Sequence, residues 1–237
     1  MRGEEALRIV ESLCDEDSPA RVYYVNAHAL NLAVESPDYA ESLRGASLLL
    51  NDGAGIALAG RLYGRPFPEN LNGSDFNPLI LALARRRGWR TFLMGARPGV
   101  AEVAAQRLKR LMPGLIICGT HHGYLEGSES ERIADEIRRS KTDVLMVGMG
   151  NPVQELWVDE YLPRSGARLG VGVGAFLDFS AEMVPRAPAW MNRFGMEWAF
   201  RLSREPRRLW KRYVVGNPKF LWRIARHRLG HGKVRTG

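Results

Sequence analysis

Asp52 is the carboxylate best placed to do chemistry, because it follows the apolar run 47–51 (SLLLN) within Asn51-Asp52-Gly53-Ala54-Gly55. A buried strand ending in an acid and glycines puts that acid at an open edge. There it suits a general base that takes a proton from an incoming hydroxyl. Asn-Asp-Gly equally suits a turn or a helix cap, so the local pattern leaves both readings open. Other apolar runs end in similar segments: Asn26-Ala27-His28, Gly95-Ala96-Arg97-Pro98-Gly99, Gly119-Thr120-His121-His122-Gly123-Tyr124, Gly148-Met149-Gly150-Asn151-Pro152 and Gly172-Val173-Gly174-Ala175. Glycine lets a backbone come close to a ligand, and N–H groups opening the next helix bind phosphate. A single such segment means a tight turn. The set points to a nucleotide-sized anion, with Arg97 as a candidate partner for its phosphates and as readily a solvent-facing arginine.

Other nucleotide chemistries fit less well. No Walker A sequence occurs, which argues against a P-loop enzyme. Gly148-Met149-Gly150 starts a dinucleotide fingerprint, but Val153 takes the third glycine position and no matching acid follows, so a dehydrogenase is a weak alternative. Asp15-Glu16-Asp17 has the form of a DxD metal pair, yet it precedes the first predicted strand and reads as a solvated helix end. His121 and His122 would face opposite ways if extended, which makes them a poor metal pair and better turn or nucleotide-contact residues. No metal-ligand spacing remains, and neither a metal nor a cofactor is expected.

These segments must be held by regular elements. Strand patterns fall at 21–27, 47–51, 90–95, 115–119, 143–148 and 167–173. Helical patterns fall at 37–45, 55–63, 75–87, 100–111, 129–140 and 154–161, the third with Ser74 as its expected N-cap. The alternation predicts an α/β fold, a Rossmann-like and mainly parallel sheet with helices on both faces. Ligands of such sheets bind beyond the carboxyl ends of the strands, where the polar segments lie.

A length of 237 residues suits one compact domain with a small appendage. No apolar run is long enough to cross a bilayer, and the acidic start lacks the apolar core of a signal peptide, so a cytoplasmic protein is expected. Cys14 and Cys118 are expected to be unpaired thiols of a reducing compartment. The net charge of +8 is unevenly spread: residues 189–237 hold 13 Lys and Arg against 2 acids, and four of the six tryptophans. Pro185-Arg186-Ala187-Pro188 is the expected boundary between a catalytic body (1–188) and a basic helical tail (189–237). Basic residues with Trp210, Tyr213 and Trp222 predict contact with an anionic membrane surface. The alternative is a solvated basic helix with its tryptophans against the body; Trp190 and Trp198 are expected to pack there in either case. A nucleic-acid-binding protein would use the tail but leave the glycine rim without a role, so no nucleic acid is expected.

The ordered set 51–55 (NDGAG), 72–76 (NGSDF), 92–96 (FLMGA), 119–124 (GTHHGY), 148–155 (GMGNPVQE), 172–178 (GVGAFLD), 186–188 (RAP) and 197–208 (EWAFRLSREPRR) resembles the WecG/TagA/CpsF glycosyltransferases. The resemblance spans roughly residues 20–212. It implies an inverting, metal-independent transfer of a sugar, N-acetylmannosamine-type or another hexose, from a UDP-sugar to a polyprenyl-diphosphate-linked acceptor in cell-surface polysaccharide synthesis. It implies a peripheral place on the inner face of the cell membrane, and it allows a homo-oligomer. Asp52 matches the family's proposed base. Asn26, Asn72, Asp75, Gly95, Arg97, Tyr124, Gly148, Gln154 and Asp178 fall in or beside motifs expected at the sugar-nucleotide pocket. Arg201, Arg204, Arg207, Arg208 and Arg212 match an appendage thought to meet the membrane and close the site. Tyr24 and Asn70 stand where the family often has a threonine and an arginine, Val153 where it has a lysine, and Glu182 where it has a glycine. A non-catalytic sugar-nucleotide-binding partner subunit is the alternative these departures suggest.

Overall fold

The computed structural model describes residues 1–126, 128–183, 191, 197–204 and 206–231. The Pro185–Pro188 boundary, the Arg-Ala-Pro motif, Trp190 and Glu205 lie outside them.

Six short runs rich in Val, Ile, Leu and aromatics form β1 (Ala20–Val25), β2 (Leu48–Asn51), β3 (Arg90–Gly95), β4 (Ile116–His121), β5 (Val144–Gly148) and β6 (Leu169–Gly172). They pair in parallel in the order β2-β1-β6-β5-β3-β4. This is the α/β fold that the alternating patterns predict. Parallel sheets need cover on both faces, and the period of two along each strand divides the core accordingly. Val22, Tyr24, Leu93, Val144 and Met146 share one core cluster with Val10, Ile80, Leu81, Ala104 and Leu177. These come from α1 (Gly3–Asp15), α5 (Gly73–Arg87), α6 (Val100–Leu111) and α9 (Phe176–Ser180). The alternate residues Tyr23, Phe92, Met94, Leu145 and Val147 pack with Ala29, Tyr39, Ile133, Ile137, Trp157 and Val158. Those belong to α2 (Ala27–Glu35), α3 (Pro37–Arg44), α7 (Glu129–Arg139) and α8 (Val153–Ser165).

Three expectations need correction. Helix α2 is not among the helices that the sequence patterns predict, and of α1 only the exposed end at Asp15 is foreseen; α2 begins directly at the end of β1, where the polar cluster Asn26-Ala27-His28 hides the change of period. Helix α5 starts at Gly73 with Asn72 as its N-cap in place of Ser74, because the Asn72 side chain accepts from the N–H of Asp75 at 3.1 Å. His121 and His122 do not diverge: the chain leaves β4 at His121, and the two rings lie 4.3 Å apart.

The basic tail forms α10 (Glu197–Arg204), α11 (Pro206–Trp210), a π-helical turn (Lys211–Val215) and α12 (Gly216–His231). Helix α12 packs on α2 and on α4 (Ala54–Leu62) through Phe220, Ile224 and Ile56. Polar contacts fasten the same seam. Arg223 donates to Asn31 Oδ1 at 2.8 Å and to Glu35 at 3.1 Å, and Lys219 also pairs with Glu35. Asn31 Nδ2 donates to Gly216 O at 2.8 Å, and the Tyr63 hydroxyl meets His227 Nδ1 at 2.8 Å. Trp210 and Trp222 stay exposed, at 46% and 58%, and so does Trp198, at 42%, against the expectation that it packs on the body: its ring meets Tyr213 of the tail itself. Among the described residues no helix is long and apolar enough to cross a membrane.

Candidate active site

The carboxyl ends of β1, β2, β5 and β6 and the loop after β3 open into one cavity of about 1400 Å³, closed on its far side by the C-terminal helices. Pockets for single small ligands are about 300–1,000 Å³, so this one has room for two substrates. Its wall includes Asp52, Asn26, Asn72, Asp75, Arg97, Tyr124, Gly148, Gln154, Asp178 and Arg212, with Trp198, Phe220 and Leu221 from the tail.

Asp52 is held from both sides. Its backbone N–H donates to Val25 O at 2.9 Å, extending the β1–β2 ladder by one step. Asn51 Nδ2 donates to Glu69 O at 2.9 Å, and Gly53 N–H donates to Asn70 Oδ1 at 2.9 Å. The segment 69–70 thus grips the residues before and after the carboxylate. Gly53 has φ +90° and ψ 167°, a conformation that belongs almost wholly to glycine, and a Cβ there would meet open space. Asn26 caps α2 by accepting from Ala29 N–H at 3.0 Å, and its amide lies 3.4 Å from Asp52 Oδ2. Tyr24, whose phenol burial and the nearby Asp52 charge keep protonated, points away to Asn77 Oδ1 at 2.6 Å. That aromatic residue fills the sheet's packing against α5.

The glycines divide into two kinds. A Cβ on Gly95 would fall 2.4 Å from Gly148 O, and one on Gly148 would fall 2.7 Å from Gly174 O. These glycines let the strand ends approach one another. Gly150 and Gly174, at φ +85° and +55°, line the cavity, and a Cβ added to either would have nothing within 4 Å, so it is here that a ligand could come close. Gln154 fixes both: its Oε1 accepts from Gly150 N–H at 3.1 Å and Gly174 N–H at 3.0 Å. Its Nε2 donates to Glu155 Oε1 at 2.7 Å, and Asn151 Nδ2 donates to the same oxygen at 2.7 Å. Gln154 is 3% exposed and Glu155 is fully buried. Burial pushes the Glu155 carboxyl up to about 7, against the lowering effect of these hydrogen bonds.

Arg97 and Tyr124 stand exposed at one end of the cavity. Asn72 and Asp75 hold each other at the start of α5, with Asn72 Nδ2 2.8 Å from Asp75 Oδ2. Arg212 enters from the π-helical turn, a local distortion that often marks functional positions. Gly95 lies behind the wall rather than on it. Arg204 and Arg207 are exposed and outside the cavity, and the side chains of Arg201 and Arg208 lie outside the described residues. Asp15 is remote from the site, pairing with Arg87 at 2.7 Å.

His28, Asn70 and Glu155 are site residues that the sequence patterns do not single out. His28 follows Asn26 on the rim, a signal of position that a lone histidine does not strengthen. Asn70 stands out as a departure from a pattern, which points to a loss rather than to its grip on Gly53. Burial and the Arg212 guanidinium push the His28 imidazole down to about 4.

The profile of the glycosyl transferase WecG/TagA/CpsF family matches residues 1–234. Among curated proteins, the chain is 30% identical over 219 residues to the N-acetylglucosaminyldiphosphoundecaprenol N-acetyl-beta-D-mannosaminyltransferase of Bacillus spizizenii, covering 92% of this chain and 84% of that protein. The Bacillus subtilis protein of the same description is 29% identical, with 87% and 79% covered, and that of Staphylococcus aureus strain MW2 is 29% identical, with 85% and 78% covered.

Proposed function

The chain belongs to the WecG/TagA/CpsF family and is a glycosyltransferase, and from that premise we propose that it moves an N-acetylmannosamine-type sugar from UDP to a polyprenyl-diphosphate-linked N-acetylglucosamine. The relatives carry that donor sugar and acceptor in their names, and about 30% identity along most of the chain supports extending both to this protein. The observation that carries the reading is the placement of Asp52 at the carboxyl end of β2, in a cavity large enough for two substrates.

In this reading UDP lies along the rim, its phosphates brought close to the chain in the open space beside Gly150 and Gly174, and its uridine end near Tyr124 and Asp178. Gln154 is a positioning residue, because its carboxamide is engaged with the two glycine loops. The acceptor hydroxyl attacks the anomeric carbon from the face opposite UDP, and Asp52 takes its proton as the new C–O bond forms and the bond to UDP breaks. Charge growing on UDP is met by fixed donors, with Arg97 and Arg212 as the cations at hand. Asn26 steadies the carboxylate.

The exposed Trp210 and Trp222 and the basic tail support docking on an anionic membrane, where a polyprenyl acceptor resides. Basic residues add on the order of 1 kcal/mol each near such a surface. The test is turnover of UDP-N-acetylmannosamine with a short-prenyl diphospho-N-acetylglucosamine. Release of UDP with formation of the disaccharide lipid is the expected result. Absence of product with this pair, alongside product from another donor or acceptor, would overturn the substrate assignment.

A further inference from the structure

The imidazole of His28 is not used in the mechanism above, yet it lines the same cavity, two residues beyond Asn26. It makes no hydrogen bond with the described residues, although it is half-buried. Half-buried on the cavity wall and held by none of the described residues, the ring is open to water or to a ligand. The charge at hand is the Arg212 guanidinium, projecting from the π-helical turn. Glu35, on the same helix as His28, opposes it but is itself engaged by Lys219 and Arg223 of α12. On α3, which also packs against α2, Arg44 and Glu41 pair with each other.

We propose that His28 and Arg212 together bind a diphosphate, and that His28 takes a proton from solvent onto its ring as the diphosphate enters. A guanidinium and an imidazolium both donate charge-assisted hydrogen bonds to phosphate oxygens. In the empty cavity burial and Arg212 keep the ring neutral. A diphosphate with two negative charges reverses that field, so the ring gains its charge when the ligand needs a donor. The inference rests on the transferase reading of the cavity. The diphosphate could be that of the donor or that of the lipid acceptor.

Two probes separate these sources: UDP-N-acetylmannosamine, and a short-prenyl diphospho-N-acetylglucosamine. Both are diphosphate diesters that do not titrate between pH 6 and 8, so proton uptake on binding reports the protein. Calorimetry in buffers of differing ionisation heat is expected to show uptake approaching one proton at pH 6 with one of the probes. Affinity for that probe is expected to rise about tenfold from pH 8 to pH 6. In His28→Gln both the proton uptake and the rise in affinity toward pH 6 vanish. Imidazole NMR of the unmodified chain gives the same answer without a variant, since the His28 resonance must shift toward the imidazolium form on adding the probe. Binding of a probe to the unmodified chain without that shift, or equal uptake in His28→Gln, overturns the proposal and leaves the transferase reading intact. Binding of neither probe overturns both.

Discussion

The side-chain oxygen of Asn70 accepts the backbone N–H of Gly53 at 2.9 Å, on the residue next to Asp52. That bond holds Gly53 in a conformation other residues rarely adopt, and with it the direction in which the Asp52 carboxylate leaves the chain. Asn70→Ala removes the bond and lets the turn relax. Because misplacement of a reacting group by about 1 Å can cost up to a hundredfold, kcat is expected to fall roughly tenfold to a hundredfold while KM for the UDP-sugar changes little. Steady-state kinetics check this; a KM effect with normal kcat would speak for direct donor contact instead.

Asp52→Asn keeps the shape and removes the proton acceptor. General-base catalysis contributes about 10²- to 10⁴-fold, so kcat is expected to fall by that order with unchanged thermal stability. Transfer at the unmodified rate by a folded Asp52→Asn protein rules out the base assignment.

Gln154 bridges the loops after β5 and β6, with both ends of its carboxamide engaged. Gln154→Ala removes the bridge between two loops and one of the two donors to the buried Glu155 carboxyl, while Asn151 and water in the cavity meet the groups left behind. A total loss of about 1–3 kcal/mol is expected. Urea denaturation measures the stability, and a raised KM for the UDP-sugar is expected in the variant at temperatures where it remains folded.

Glu155 gives the fold a pH dependence whose sign follows from its burial. Its carboxyl titrates near 7 when folded, against the ordinary 4.5, so the folded state holds a proton that the unfolded state has lost between those values. Stability contributed by this group therefore falls as pH rises from about 4.5 to 7, by at most about 1.4 kcal/mol per pH unit, and is level above that. Glu155→Gln removes this slope. Chemical denaturation at a series of pH values across that window compares the two proteins, and identical slopes would contradict the assignment.

The seam between α2, α4 and α12 carries Arg212 to the cavity. Phe220 is buried against Ile56, and its truncation to Ala is expected to cost about 3–5 kcal/mol locally. Hydrogen exchange in 216–231 is expected to rise sharply while β1 and β5 stay protected, with activity falling in parallel. Trp210→Ala with Trp222→Ala, by contrast, is expected to leave hydrogen exchange unchanged and to lower sedimentation with anionic vesicles; unchanged sedimentation would count against membrane docking through this face.

How much was legible in the sequence depended on the range of the interaction. Apolar runs such as Val144–Gly148 and the turn residues after them announce strands and βα turns, because strand burial and glycine backbone freedom are local properties of the chain. The same locality marked Asp52 and the cavity-lining turns. Which glycines face a ligand was not local: Gly95 and Gly148 press on neighbouring strand ends, while Gly150 and Gly174 look into open space, a difference set by sheet order. The grip of Asn70 on Gly53 spans 17 positions, and the bond of Asn31 to Gly216 spans 185. Composition showed a basic tail rich in tryptophan, but folding decided that its last helix would pack on α2 and α4 and that Arg212 would line the same cavity as His28. Pairings at such separation depend on the packing of the whole sheet, which local pattern does not specify.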